Sequence, residues 1–222
     1  MNKIFIIIPI FNEYKIINKI LFDLNSKGYK NVIVVDDGST DKTESTIEKA
    51  DIIYVRHAIN RGKGAAIKTG LEAAKILKAT SVITMDGDGQ HDVVDIPKLL
   101  RELEKGYDVV LGYRNFESKQ MPLLKIVSNK IANIFVWMLY GIYVKDSQCG
   151  FRAYSSNAID KIETHADFYE FDSEIIKEIK HKKLRYSQVK VSTKYTKYST
   201  QKKYKQHPIN GLKMIYRMIK SL

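Results

Sequence analysis

This chain predicts an α/β fold, a mostly parallel sheet flanked by helices, on three observations. Short runs along its first half are apolar almost without interruption, as strands are when helices cover both faces of a parallel sheet. Between the runs, apolar residues recur at helical spacing, the primary signal of amphipathic helices. Each run also stops abruptly in acids, glycine or proline, the punctuation of strand ends. Such alternation argues for a doubly wound sheet, whose ligands sit beyond the carboxyl ends of the strands.

Taken in order, the predicted strands are KIFIIIP (3–9), NVIVVDD (31–37), DIIYVRH (51–57), SVITMD (81–86) and YDVVLGY (107–113). Helical patterns fill 13–27, 41–49, 62–78 and 93–105 between them. In the third, Ala66, Ile67, Gly70, Leu71, Ala74 and Leu77 recur at three- and four-residue steps and form an apolar stripe. Beyond residue 115 the pattern changes to a helix over 122–140, the segment VKDSQCGFRAYS, a helix near 172–182 and a strand at RYSQVKV (185–191). No linker-like stretch or internal repeat divides the chain. One domain over 1–192 with a basic, Tyr/Lys-rich extension over 193–222 is the expected organisation.

A chain of 222 residues with 44% hydrophobic content can bury one sizeable core. Its 37 Lys and Arg against 25 acids give a net charge of +12, which favours anionic partners such as nucleic acid, lipid headgroups or phosphorylated small molecules. The single cysteine, Cys149, cannot form an internal disulfide and fits a reducing, cytoplasmic setting as a small buried residue. The opening MNKIFIIIPIFNE reads as a first strand, not a signal peptide. The nearly uncharged stretch 131–144 is shorter than the roughly 20 residues that span a bilayer, and either a core helix or one that dips into a membrane suits it.

The acids that end the strands carry the chemistry. Asp86-Gly87-Asp88 directly follows an apolar run, so a turn can present two carboxylates to one hard cation. Mg²⁺ or Mn²⁺ takes such oxygen ligands and keeps substrate phosphates in its shell. Gln90 adds a neutral oxygen, and the glycines leave room for a ligand. The bland alternative is a solvated Asp/Gly turn, but Asp36-Asp37 and the turn after Pro9 deliver further polar groups to the same sheet edge. VVDDGSTDKT (34–43) reads as strand, turn and helix cap from Ser39 or Thr40. NRGKGAAIKTG (60–70) meets neither dinucleotide nor P-loop spacing, and is a basic helix start suited to an anion or to close packing.

In that order, IIIPIFNE, VVDDGSTDKT, NRGKGAAIKTG, MDGDGQHD, VVLGYR and DSQCGFRAY resemble the GT-A (Rossmann-like) glycosyltransferases of family 2. The nearest likeness is to dolichol-phosphate mannosyltransferase and related polyprenyl-phosphate glycosyltransferases, over about residues 3–195. The resemblance implies a nucleoside-diphosphate-sugar donor, GDP- or UDP-linked. It implies that Pro9, Asn12 and Glu13 border the nucleotide, that Asp36 and Asp37 meet the base or ribose, and that Lys63, Asp86, Gly87 and Asp88 complete the donor site. Asp86, Asp88 and Gln90 match the family's metal and diphosphate positions. Arg114 and Arg152 match basic positions facing the acceptor phosphate, a task that suits the planar guanidinium fork. Their plain reading is surface salt bridging.

Charge development implies inversion: the metal stabilises the leaving diphosphate and the acceptor attacks from the opposite face. A hydroxyl acceptor needs a carboxylate base, for which Asp172 and Glu174 are candidates, with solvation on a helix surface the fate expected of at least one. A lipid phosphate needs no base. Many lipid-phosphate enzymes of this kind carry transmembrane helices and this sequence has none, so it is expected at the cytoplasmic membrane face as a peripheral protein or through a small membrane protein partner. In the tail, Lys194, Lys197, Lys202, Lys203 and Lys205 interleave with Tyr195, Tyr198 and Tyr204. That mixture suits a bilayer interface as well as single-stranded nucleic acid. Leu212, Ile215, Met218 and Ile219 give the last segment an amphipathic side, which docking on the protein's own core also explains. The leading expectation is transfer to polyprenyl phosphate at a membrane surface, with no nucleic-acid partner. The alternatives are a family 2 transferase acting on a saccharide hydroxyl, and a basic nucleic-acid-binding module, which leaves the strand-end acids without a purpose.

Overall fold

The computed structural model describes residues 3–47, 52–114, 123–168 and 170–194. Seven strands form one sheet: β1 (Ile4–Ile10), β2 (Val32–Asp36), β3 (Ile53–Arg56), β4 (Ser81–Thr84), β5 (Val109–Arg114), β6 (Arg152–Ser155) and β7 (Tyr186–Val191). Their spatial order is β3-β2-β1-β4-β6-β5-β7. Every pairing is parallel except those of β6, which runs antiparallel to both β4 and β5. The carboxyl ends of β1, β2, β4 and β5 therefore share one edge.

Side-chain alternation divides the core between two faces. Phe5 and Ile7 of β1 point to the face covered by α3 (Lys63–Ile76), α5 (Leu123–Tyr140) and α7 (Phe171–His181). Ile6, Ile8 and Ile10 point to the other, covered by α1 (Ile17–Ser26) and α4 (Ile96–Glu104). The near-continuous apolar strands of the sequence are this two-sided burial. Helix α3 lies hard on β1: a Cβ at Gly70 would stand 2.4 Å from Ile7 Cγ2, so only glycine allows that approach.

The helices differ in extent from the sequence pattern. The stripe of α3 ends at Ala74, and Leu77 caps the helix and is exposed. Helix α1 starts four residues later than expected, after a turn in which Ile16 and Ile17 donate to the Glu13 carbonyl. The expected helix over 41–49 shrinks to α2 (Thr43–Thr46). The pattern at 93–105 splits into a 3-10 turn, Val93–Asp95, and α4, with Pro97 in its first turn. Strand β6 and the short α6 (Ser156–Lys161) lie inside FRAYSSNAIDK, where the sequence pattern predicts neither strand nor helix. Of the basic extension, Thr193 bridges to His91, and Lys194 donates its N–H to the Gln90 carbonyl and its Nζ to Asp92. The expected amphipathic segment lies outside the described residues.

Candidate active site

The turn after β1 is locked to the turn after β2. Asn12, at φ 56°, donates its N–H to Ser39 Oγ and accepts from the N–H groups of Thr40 and Asp41; asparagine tolerates this left-handed backbone. Glu13 is buried, and its N–H donates to Thr43 Oγ1. Pro9 is half-buried beside them, and a Cβ at Gly87 would stand 2.9 Å from its carbonyl oxygen. The acidic turn after β4 thus lies flush against the end of β1.

Asp36 and Asp37 turn inward. Asp36 accepts from the Ser39 N–H at 2.8 Å and the Tyr54 hydroxyl at 2.7 Å, with Arg56 Nε 3.9 Å away. Burial, reinforced by that hydrogen bond, holds the Tyr54 phenol above its ordinary range. Asp37 receives His57 Nδ1 at 2.7 Å and the N–H groups of Arg61 and Gly62 at 2.9 and 2.7 Å. His57 in turn meets Thr69 Oγ1 of α3 at 2.9 Å. Asp37 pins the loop that leads into α3, and Asp36 ties its own turn to β3.

Lys63, the first residue of α3, joins the two halves of the site. Its Nζ lies 2.8 Å from Asp86 Oδ1 and 3.0 Å from Asp172 Oδ2. Burial alone would lower its pKa, but the Asp172 and Asp86 carboxylates outweigh it and hold the ammonium well above the ordinary lysine range. A Cβ at Gly150 would stand 2.6 Å from Asp86 Oδ1 and 2.7 Å from Lys63 Nζ, so the ion pair rests on bare backbone. The other Asp86 oxygen meets His91 Nε2 at 3.2 Å, and the His91 ring packs on Phe151. Asp88 is buried and accepts from the Gln90 N–H at 3.1 Å.

The two arginines differ from the surface bridges that a plain reading allows. Arg114 is buried at the end of β5 and meets Asp146 through Nε at 2.7 Å and Nη2 at 2.9 Å, with its N–H also donating. Arg152 is only 1% exposed. It donates to the carbonyls of Cys149 and Ser147 at 2.9 Å each, and its Nη2 is 3.3 Å from Asp172 Oδ1. The expected solvation of Asp172 or Glu174 is not found either. Both are buried: Asp172 lies between Lys63 and Arg152, and Glu174 accepts from the N–H groups of His165 and Ala166, because α7 packs that face against the start of α3.

The structure thus unites Lys63, Asp86, Asp172 and Arg152 in one chain of charges, with Asp88 and Gln90 beside it. It keeps Asp37 under the loop into α3, Asp36 with Tyr54 of β3, and Arg114 with Asp146 at the end of β5. His57, His91 and Asp146 went unassigned in the sequence. His91 stands inside DGDGQHD, five residues from its partner Asp86, a spacing that could have flagged it; Asp146 begins DSQCGFRAY, 32 positions from its partner Arg114, beyond any local pattern. Asp86, Asp88 and Gln90 offer hard oxygen donors of the kind Mg²⁺ or Mn²⁺ prefers. Among the described residues no three His, Cys, Asp or Glu side chains converge to hold a metal ion by themselves. A cation here would need substrate oxygens to fill its shell.

Residues 5–163 match glycosyl transferase family 2. An uncharacterised protein of Methanocaldococcus jannaschii is 40% identical, the match covering 98% of this chain and 91% of that protein. A UDP-N-acetylglucosamine–dolichyl-phosphate N-acetylglucosaminyltransferase of Methanococcus voltae is 34% identical, covering 97% of this chain and 94% of the relative. Among solved structures, glucosyl-3-phosphoglycerate synthase of Mycobacterium tuberculosis, in complex with Mn²⁺, UDP and phosphoglyceric acid, superposes with a TM-score of 0.74. It does so at 18% identity, over 98% of this chain and 76% of that one, which places the sheet and its helices in the GT-A fold.

Proposed function

From the premise that this chain belongs to glycosyl transferase family 2 and is a glycosyltransferase, we propose that it moves a sugar from a UDP-linked donor to a polyprenyl phosphate, with inversion and with a divalent cation. The nearly full-length likeness to a dolichyl-phosphate N-acetylglucosaminyltransferase supports both donor base and acceptor class. The observation that carries the acceptor is the state of the two candidate bases. Asp172 is held by Lys63 and Arg152, and Glu174 by backbone N–H groups. Both carboxylates are thus engaged within the protein, which favours a phosphate acceptor, already an anion and needing no base.

In this reading Asp86, Asp88 and Gln90 hold Mg²⁺ or Mn²⁺ together with the donor diphosphate. When bound, the cation neutralises charge that grows on the leaving diphosphate. Lys63, kept charged by its two acids, adds a second positive centre beside Asp86. Pro9, Asn12 and Glu13 form the wall on the nucleotide side, which Asp36 and Asp37 support from beneath. Arg114 faces the acceptor phosphate from the end of β5. Arg152 serves that acceptor indirectly, as a positioning residue that holds the Ser147–Cys149 turn. The anomeric carbon gains positive charge as the donor bond breaks, and the acceptor oxygen closes on it from the far side.

Calorimetry of UDP and GDP with Mn²⁺ tests the donor site. UDP is expected to bind only with the metal and not to bind Asp88→Ala. Absence of binding by the folded protein would reduce the strand-end acids to a polar turn. Sugar recovered in an organic-extractable, acid-labile product tests the acceptor.

A further inference from the structure

Helix α5 is apolar on two opposite sides. One side buries Ala132, Val136 and Tyr140 in the core with α7. The other carries Val127, Ile131, Ile134, Trp137 and Met138, which are 44–68% exposed. At 100° per residue Val127, Ile131, Ile134 and Met138 fall in one narrow stripe, with Trp137 and the exposed Lys130 along its margin. An outer stripe of this kind on a monomeric surface marks a contact. From Ser118 to Lys145 the sequence has Lys119, Lys125, Lys130 and Lys145 and no acid.

We propose that this outer face of α5 is a docking surface for an anionic lipid bilayer, with the helix lying in the interface, an inference that rests on the lipid-phosphate acceptor proposed above. The charge pattern selects the partner. Lys130 on the margin of the stripe, within a stretch of sequence that has lysines and no acid, complements anionic headgroups, each lysine near the surface contributing about fivefold in affinity. Trp137 and the exposed Tyr143 are the residues that headgroup depth favours. No helix among the described residues is long and apolar enough to cross a membrane, so α5 is suited to lie on the bilayer. The inner side ties the surface to the reaction: Asn133 donates Nδ2 to the Lys145 carbonyl at 2.7 Å and accepts from the Ser147 N–H at 2.8 Å. Between those two residues sits Asp146, which grips Arg114. A bilayer under α5 thus sets the depth at which Arg114 meets a lipid phosphate.

Trp137 is the only tryptophan in the chain, so tryptophan emission, excited beyond the absorption of the tyrosines, reports this face alone. The probe is the full chain with vesicles of phosphatidylcholine, with and without phosphatidylglycerol, free of any polyprenyl phosphate. Expected are a blue shift, quenching by lipids brominated near the headgroup, and binding at least tenfold tighter to the anionic vesicles. The double variant Ile134→Glu/Met138→Glu, both at exposed positions, should bind vesicles at least tenfold more weakly. It should still transfer sugar to a short, water-soluble isoprenyl phosphate at the original rate. Vesicle binding that leaves Trp137 emission unchanged overturns the proposal and assigns the contact elsewhere, the basic tail included. A dimer in lipid-free solution that the double variant dissolves overturns it in favour of a second copy. Docking without transfer to any polyprenyl phosphate defeats the acceptor assignment alone, and transfer in detergent without docking defeats this inference alone.

Discussion

Replacing Asp37 by alanine separates two roles that the sequence merges. A carboxylate that touches the nucleotide would cost donor affinity and leave stability intact; a carboxylate that pins the loop would do the reverse. In the structure Asp37 is 3% exposed and receives three donors: His57 Nδ1, Arg61 N–H and Gly62 N–H. Hydrogen bonds to a charged group contribute about 1.5–3 kcal/mol each. They share one carboxylate and are not additive, so the expected loss is that of breaking a buried charged contact, about 3–5 kcal/mol. For a chain of this length each kcal/mol lowers Tm by roughly 2–4 °C, giving a fall of about 6–20 °C. Asp37→Asn keeps an oxygen for His57 and Arg61 but sets an amide against the Gly62 N–H, and should lose about 1–3 kcal/mol. Urea unfolding followed by circular dichroism gives both values, and UDP calorimetry on the folded fraction gives the other arm. Stability within about 1 kcal/mol of the parent together with lost UDP binding would refute the loop-pin assignment.

Two further outcomes follow from close contacts and burial. Gly150→Ala places a methyl against Asp86 and Lys63; a displacement near 1 Å should lower kcat/KM about 100-fold while the thermal midpoint barely moves, as steady-state kinetics and calorimetry together would show. Burial, helped by the Asp146 carboxylate, pushes the Cys149 thiol up to about 12. The unfolded chain ionises near 8.5 and the folded chain does not, so this contribution to stability is present below 8.5 and is lost as pH rises towards 12; iodoacetamide at pH 9 should therefore label Cys149 only after unfolding, as mass spectrometry can read.

Much of the architecture was legible because it rests on local pattern. Two-sided burial wrote the strands as apolar runs, and the strand-end acids fell where a parallel sheet gathers its ligands. Strand β6 escaped because Arg152 and Ser155 bracket only two residues, Ala153 and Tyr154, too short an apolar run to read, and its sheet neighbours β4 and β5 lie far away in sequence. The site was legible as residue types and not as partners. Lys63 and Asp172 stand 109 positions apart, and only the packing of α7 against α3 brings them together. For Asp36 and Asp37 the sequence leaves the direction of the side chain open. An acid after a strand can aim outward at a ligand or inward at its own loop, and the letters are the same.

The reversed direction of β6 has an architectural consequence. Because β6 pairs antiparallel with β5, the chain leaves the sheet at Arg114 and re-enters at Arg152 on adjacent strands. Residues 115–151, including α5, are topologically one oversized hairpin loop. The entropy of closing a loop grows only with the logarithm of its length, so a connection this long costs the sheet little more than a short one. The donor half has little freedom, since β1, β2 and α3 are interlocked through Asn12, Asp37 and Gly70. Within the long loop the freedom belongs to the outward side of α5, because its inner side packs in the core and Gly150 lies under the Asp86–Lys63 pair.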